Sequence, residues 1–449
     1  MKKRVLMGIV AMGYSKGVVA LMQLVMVPVL AKTWGLTLYG QWLILASVPM
    51  FMGASDLGFG LAASNRFIAE SANKQDREAL TTFHSALLLI SICGATLVAL
   101  SYALCLLLPD STFRVEGGLP THDARITLAL LCTYAVVALY MPLMNGVSRS
   151  VGKLAKAVSI VATGQMAEGL GVIAAALLGA GAIGAAAAML AVRVSTISIL
   201  SFTATRHAGW AHLGIGQARF QRIKDLTRPA FAAMVLPLSQ AAFLQGTAFA
   251  VGLAGTPAMV PLYTTLRTLS RIGLQVMSAI AIPVMPEFAI ARARGDNALA
   301  SRIGGMLTMG CAAVGLGATL TLSLFGVEII HLWTGGVVQP PYLMVLIFGI
   351  GIGLDLLWAP LSDLLLAVNR HETYSYTYLV SAFLVVGLTY VLVQRFGVVG
   401  AAAANLCLEI VMFLTVTLSL RRNFGRFEYD LHSMLDLLPG RRRKSAKPG

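Results

Sequence analysis

"GLTLYGQWLILASVPMFMGASDLGFGLAASN", residues 35–65, contains a single charged side chain, Asp56. A helix crossing the hydrocarbon core, roughly 30 Å thick, needs about 20 mostly apolar residues. Backbone amides find no water partners there, so an apolar run of this length must be helical. The stretch therefore reads as a membrane span carrying one acid. Gly58 and Gly60 follow that acid closely and leave room for a local bend or a close helix approach.

The rest of the chain has the same character. Of its 449 residues, 57% are hydrophobic and 12% charged, with a mean hydropathy of +0.79. Soluble domains carry about 25% charged residues, so this is a membrane composition. Apolar runs predict twelve spans, at about 7–30, 40–62, 80–108, 125–147, 157–178, 183–204, 229–253, 262–285, 303–327, 342–367, 374–394 and 398–420. No stretch is left for a sizeable soluble domain.

Charge placement tests that count independently. With the N-terminus inside, the cytoplasmic segments hold 26 Lys and Arg, and the external ones only Lys32, Arg114, Arg125 and Arg395. Cations accumulate on the cytoplasmic side, so both termini are expected inside. The net charge of +15 then needs no nucleic acid, and Arg441-Arg442-Arg443-Lys444 reads as an anchor near anionic lipid. Residues 1–31 have the outline of a signal peptide, but the apolar part is too long and Lys16 interrupts it. They are expected to be retained as the first span.

The loops after the second and eighth spans, "RFIAESANKQD" from Arg66 and "EFAIARARGD" from Glu287, resemble one another weakly. Their separation of six spans divides the chain evenly, as parallel repeats would. The expected organisation is a six-helix lobe over 1–204, a cytoplasmic linker over 205–228, a second six-helix lobe over 229–420 and a basic tail over 421–449.

Enzyme chemistry finds little support. The external loop "PDSTFRVEGGLPTHDA", residues 109–124, has the Pro and Gly of turns but no catalytic cluster. There is no HExxH, no Ser-His-Asp spacing and no phosphate-cradling glycine loop; "GIGIG" at 349–353 lies inside a span and reads as helix packing. The cysteines, Cys93, Cys105, Cys132, Cys311 and Cys407, show neither metal spacing nor a disulfide framework. No cofactor or metal is expected.

Ionisable groups inside spans are costly and face a cavity or a partner by default. Lys16 lies about 13 Å into the first span, too deep to reach water easily. Arg267 and Arg271, four apart on the eighth span, share a helix face and can present two guanidinium forks to one anion. Lys16, Arg267, Arg271 and Arg193 are thus candidate ligands for a phosphate-bearing substrate. The alternative for each is an ion pair with an acid such as Asp56, Glu168 or Glu409. For Asp56, Glu168, Asp355 and Glu409, proton or sodium coupling competes with plain helix-to-helix pairing. Asp363 and His84, each about one turn from the inside boundary, read as structural, and Asn405 shares a face with Glu409.

With these features in place, "VPVLAKTWGLTLYGQWLILASVPMFMGASDLGFGLAASNRF", residues 27–67, resembles the polysaccharide transporter family, the O-antigen type flippases. Their superfamily also holds the MATE drug exporters and the lipid II flippases. The resembling marks are the Pro28 to Gly35 turn, Tyr39-Gly40-Gln41-Trp42, and Asp56-Leu57-Gly58; "MPEFAIARARGD", residues 285–296, is similar to the family's loop after the eighth span. The resemblance implies an all-α polytopic membrane protein of MATE-like fold, with two six-helix bundles around a central cavity. It implies export of a lipid-linked oligosaccharide by alternating access at the bacterial inner membrane, beside other polysaccharide-assembly proteins. Twelve spans, against fourteen in lipid II flippases, point away from that branch. A MATE-type multidrug exporter is the alternative; it would favour cationic substrates and an acidic cavity.

Overall fold

The computed structural model describes residues 2–52, 58–368, 370–425 and 427. Among these residues the chain is helical with short connections and no strand. The first two predicted spans are carried by α1 (Lys2–Met52) and α2 (Phe59–Ala72), and the third by α3 (Asp76–Leu107). The fourth is α4 (Thr121–Ala138) continued by α5 (Met141–Ser150); the fifth and sixth are α6 (Leu154–Leu177) and α7 (Gly181–His207). The seventh consists of α8 (Phe220–Ala241), a π-helical turn at Ala242–Gly246 and α9 (Thr247–Ala254). Then come α10 (Met259–Ala293), α11 (Asn297–Thr334) and α12 (Tyr342–Ala367), with the last two spans in α13 (Glu372–Phe424).

A straight helix as long as α1 would measure about 77 Å, more than twice the hydrocarbon thickness. It does not run straight, because Gly35 has φ 72° and ψ 170°. Only glycine takes that conformation without strain. Gly397, with φ 58° and ψ −144°, breaks α13 in the same way. Among the described residues, α1 and α13 are thus each two helical segments joined at a glycine.

The chain forms two compact units: Met1–Thr265 with Ile330–Gln339 and Ala382–Ala401, and Leu266–Ile329 with Pro340–Ser381 and Ala402–Gly449. In the first unit α1 packs on α6 and α4, and α7 on α6 and α4. The residues "YGQW" have local tasks there. Tyr39 and Trp42 are buried. Gly40 leaves space for the Pro257 carbonyl, which a methyl group would overlap. The Gln41 amide donates to Phe113 O at 3.0 Å and its Oε1 accepts from Leu119 N–H at 2.6 Å, tying the middle and the end of the connection between α3 and α4.

A second cluster in this unit joins α2, α3, α5, α7 and α8 around Phe67, Phe83, Leu143 and Leu200, all almost fully buried. Trp210, from the connection between α7 and α8, stands 5.5 Å from Phe67, ring to ring. His84 accepts Gln217 N–H on Nδ1 at 3.2 Å, so its Nε2–H donates to His212 O at 3.0 Å. The predicted linker is therefore the last turn of α7, a loop tied to α3, and the start of α8. Glu70 draws the same elements together, meeting Arg66 at 3.1 Å, Arg222 at 3.4 Å and the Thr82 hydroxyl at 2.8 Å.

The two loops that resemble each other in sequence close their helices alike. Gln75 N–H donates to Glu70 O and Lys74 N–H to Ser71 O; Asp296 N–H donates to Ala291 O and Gly295 N–H to Arg292 O. Each pair is the double bond of a Schellman end, with Lys74 at φ 61° and Gly295 at φ 75° in the left-handed position.

In the second unit the 349–353 glycines do pack helices. Thr319 Oγ1–H donates to Gly349 O at 3.0 Å. A Cβ built on Gly315 would lie 2.7 Å from Gly353 O. Small residues at such crossings let backbones approach where lipid offers no hydrophobic drive. Replacing Gly315 with Val should lower thermal stability in detergent by about 1–3 kcal/mol, the range for overpacking. Gly317→Ala adds a methyl that meets nothing within 4 Å; its melting midpoint should hold or rise.

Candidate functional site

Glu168 on α6 and Arg193 on α7 face one another in the first unit, with side chains 8% and 9% exposed. Arg193 Nε donates to Glu168 Oε1 at 2.7 Å and Nη2 to Oε2 at 2.8 Å, a two-pronged pair. Tyr134, on α4, donates its hydroxyl to Glu168 Oε2 at 3.0 Å and also accepts from Arg193 Nη2. The guanidinium carbon lies 4.5 Å from the centre of the Tyr134 ring. An anion arriving at Arg193 would have to displace Glu168, and a cation at Glu168 would have to displace Arg193. Three helices are held in register by one neutralised cluster.

The second unit holds a different kind of site. Asp355 on α12 accepts from the Ser270 hydroxyl of α10 at 2.8 Å. Glu409 on α13 accepts from Trp358 Nε1–H at 2.8 Å. Asp355, Glu409 and Asn405 are all buried, and the two carboxylates lie within electrostatic range of each other. Gly351 lets α13 come close: a Cβ there would meet Asn405 Nδ2 at 3.5 Å and Glu409 Cγ at 3.7 Å. Carboxylates buried close together are expensive unless a shared proton or a cation relieves the cost. Hydroxyl, amide and carboxylate oxygens are the donors that sodium prefers. Among the described residues no group of three or more His, Cys, Asp or Glu side chains could hold a metal.

The remaining cations are placed differently. Lys16 on α1 and Arg271 on α10 are exposed, and Arg267, one turn before Arg271, is half-buried. Asp363 is half-buried near the end of α12. Asp56 falls outside the described residues. Of the described charged side chains within the twelve predicted segments, the fully exposed ones are therefore cations, while Glu168, Asp355 and Glu409 are buried.

Tyr134, Ser270 and Trp358 were not singled out from sequence, although all three are central to these clusters. Their polar tips in apolar runs were the available signal, since buried Tyr and Trp usually find a hydrogen-bond partner.

Helical spans broken by glycine, a kinked long helix at each end of the chain and a pair of compact units define an all-helical polytopic fold of the MATE type. Solved structures sharing it include the inward-facing conformation of a multidrug resistance MATE family transporter of the MOP superfamily, at TM-score 0.67 and 16% identity over 90% of this chain and 98% of that one. The lipid II flippase MurJ in its inward closed conformation aligns at TM-score 0.71 and 14% identity, over 93% and 87%. An outward-facing conformation of a multidrug resistance MATE family transporter aligns at 0.62 and 18%, over 94% and 96%. No family model matches the sequence, and no curated protein matches it. The chain is a multi-pass membrane protein of this fold.

Removing one side of the Arg193–Glu168 pair leaves a buried charge alone. Arg193→Gln should cost about 3–5 kcal/mol of stability, whereas apolar replacement of the whole cluster (Arg193→Leu, Glu168→Leu, Tyr134→Phe) should recover most of it. Chemical denaturation in detergent reads both. A transport defect in the stable apolar variant would show that the cluster does more than hold the helices.

Proposed function

We propose that the protein is a flippase that carries a polyprenyl-diphosphate-linked oligosaccharide, an O-antigen or exopolysaccharide repeat unit, from the cytoplasmic to the periplasmic leaflet. The observation that carries this proposal is the sign of the exposed charge: Lys16 and Arg271 are exposed and Arg267 is half-exposed, while the described acids deep in the spans are buried. An anionic, hydrated head cannot cross hydrocarbon, and its lipid tail never needs to leave it. Cations along the transport path replace water around the diphosphate. Arg267 and Arg271 offer two planar donor forks from one face of α10. The fold is shared with a lipid II flippase as well as with drug transporters, so a lipid-linked substrate is within its range.

The buried Asp355 and Glu409 are the proposed coupling site. Taking up a proton or sodium ion there would change the stability of the α10, α12 and α13 packing, and a gradient would then bias which conformation the empty carrier adopts. The proposed location is a bacterial inner membrane with other polysaccharide-assembly proteins as neighbours, as the family resemblance implies, and the Lys and Arg distribution supports cytoplasmic termini.

Replacing Arg267 and Arg271 together with Ala should abolish surface polysaccharide in a complemented deletion strain, with repeat units accumulating on lipid facing the cytoplasm and normal membrane insertion. Full polysaccharide would sink the diphosphate role, and drug sensitivity without such accumulation would favour the multidrug exporter. For coupling, Glu409→Gln should lower transport into vesicles at least tenfold and make the residual rate insensitive to collapsing the proton and sodium gradients. Wild-type transport that survives the same collapse unchanged would exclude ion coupling.

A further inference from the structure

The first and last turns of α13 line an open cavity that the transport proposal does not use. It has a volume of about 580 Å³ and lies between the start of the helix and its last turns. Arg370, Glu372 and Thr373 line it from one side, and Leu418, Arg422 and Asn423 from the other. All six belong to the second unit. Arg370, Glu372 and Arg422 are exposed, and among the described residues no ion pair joins any two of them. Three charges thus surround one space without neutralising each other.

Their chemistry is that of a zwitterion. Two guanidinium groups suit a phosphodiester, each able to give two parallel N–H donors. One carboxylate suits an ammonium group. Asn423 adds to the acceptor side, because its Nδ2 already donates to Ser419 O at 2.8 Å and leaves Oδ1 to receive. A simple anion would gain nothing from Glu372.

An apolar track leads away from the cavity. Leu418 lines it, and Leu414 and Val411 follow on the same helix face at spacings of four and three. They are 63%, 53% and 39% exposed. A headgroup seated between the arginines would therefore find acyl-chain contacts beginning at its own pocket wall. Basic pockets between membrane helices on the cytoplasmic side bind anionic lipid headgroups, and Glu372 in this one adds a place for an ammonium group.

We infer that the cavity between the two ends of α13 binds a phospholipid with a zwitterionic aminoalcohol headgroup: Arg370 and Arg422 hold the phosphate, Glu372 and Asn423 receive the primary ammonium, and Leu418, Leu414 and Val411 support a chain. Such a lipid clamps the first and last turns of α13 together at the inner membrane surface.

The test uses the full chain purified with equal parts of phosphatidylethanolamine, phosphatidylglycerol and phosphatidylcholine, with retained lipid read by native mass spectrometry. Phosphatidylethanolamine should be retained over phosphatidylcholine by about tenfold, because methylation removes every N–H donor. Glu372→Gln should erase that preference while total phospholipid stays the same. Arg370→Gln with Arg422→Gln should lower retention of all three lipids, and Leu414→Ser with Leu418→Ser should weaken retention without altering the headgroup preference. Equal adducts in wild type and the double arginine variant, or a preference that survives Glu372→Gln, would overturn the proposal. Soluble glycerophosphoethanolamine separates a lipid from a free phosphate: displacement of lipid at equal concentration, with no effect of the leucine changes, would mean that the site serves a soluble ligand and that the lipid assignment is wrong.

Discussion

Hydrocarbon gives a peptide group nothing to bond with, and every other feature of this protein is subordinate to that. Each spanning segment must satisfy its own backbone, which leaves the helix as its only form. Where the chain has to stop being helical, it does so at residues that permit it. Gly35 and Gly397 take backbone conformations closed to other side chains. The connection after α3 is tied by the side-chain amide of Gln41 rather than left to find its own partners.

The same constraint governs side chains. Association of helices in lipid depends on packing and on hydrogen bonds, and both are present in a local form. In the second unit the glycines at 349–353 bring α12 against α11 and α13. In the first, Glu168, Arg193 and Tyr134 bind three helices through one closed set of bonds. A charge there is tolerable because its counter-charge is fixed beside it.

Asp355 and Glu409 differ from that cluster. Each is buried with a single neutral donor, the Ser270 hydroxyl for Asp355 and the Trp358 indole for Glu409. Glu168, by contrast, is fully engaged by Arg193 and Tyr134. The contrast between the two clusters could not be read from the residue types alone, since all three acids occupy similar positions in apolar runs.

Local sequence was enough to locate the helices, because an apolar run of given length has one solution in lipid. It located the apolar helices and the glycine packing face at 349–353. Partnership was not legible. Glu168 and Arg193 are 25 residues apart, and Arg193 and Tyr134 are 59 apart. Whether such residues meet depends on how each helix is rotated about its axis and on which neighbour it packs against. Those quantities are fixed by contacts summed along whole helices, so only the tertiary structure decides which intramembrane charges are neutralised and which remain exposed.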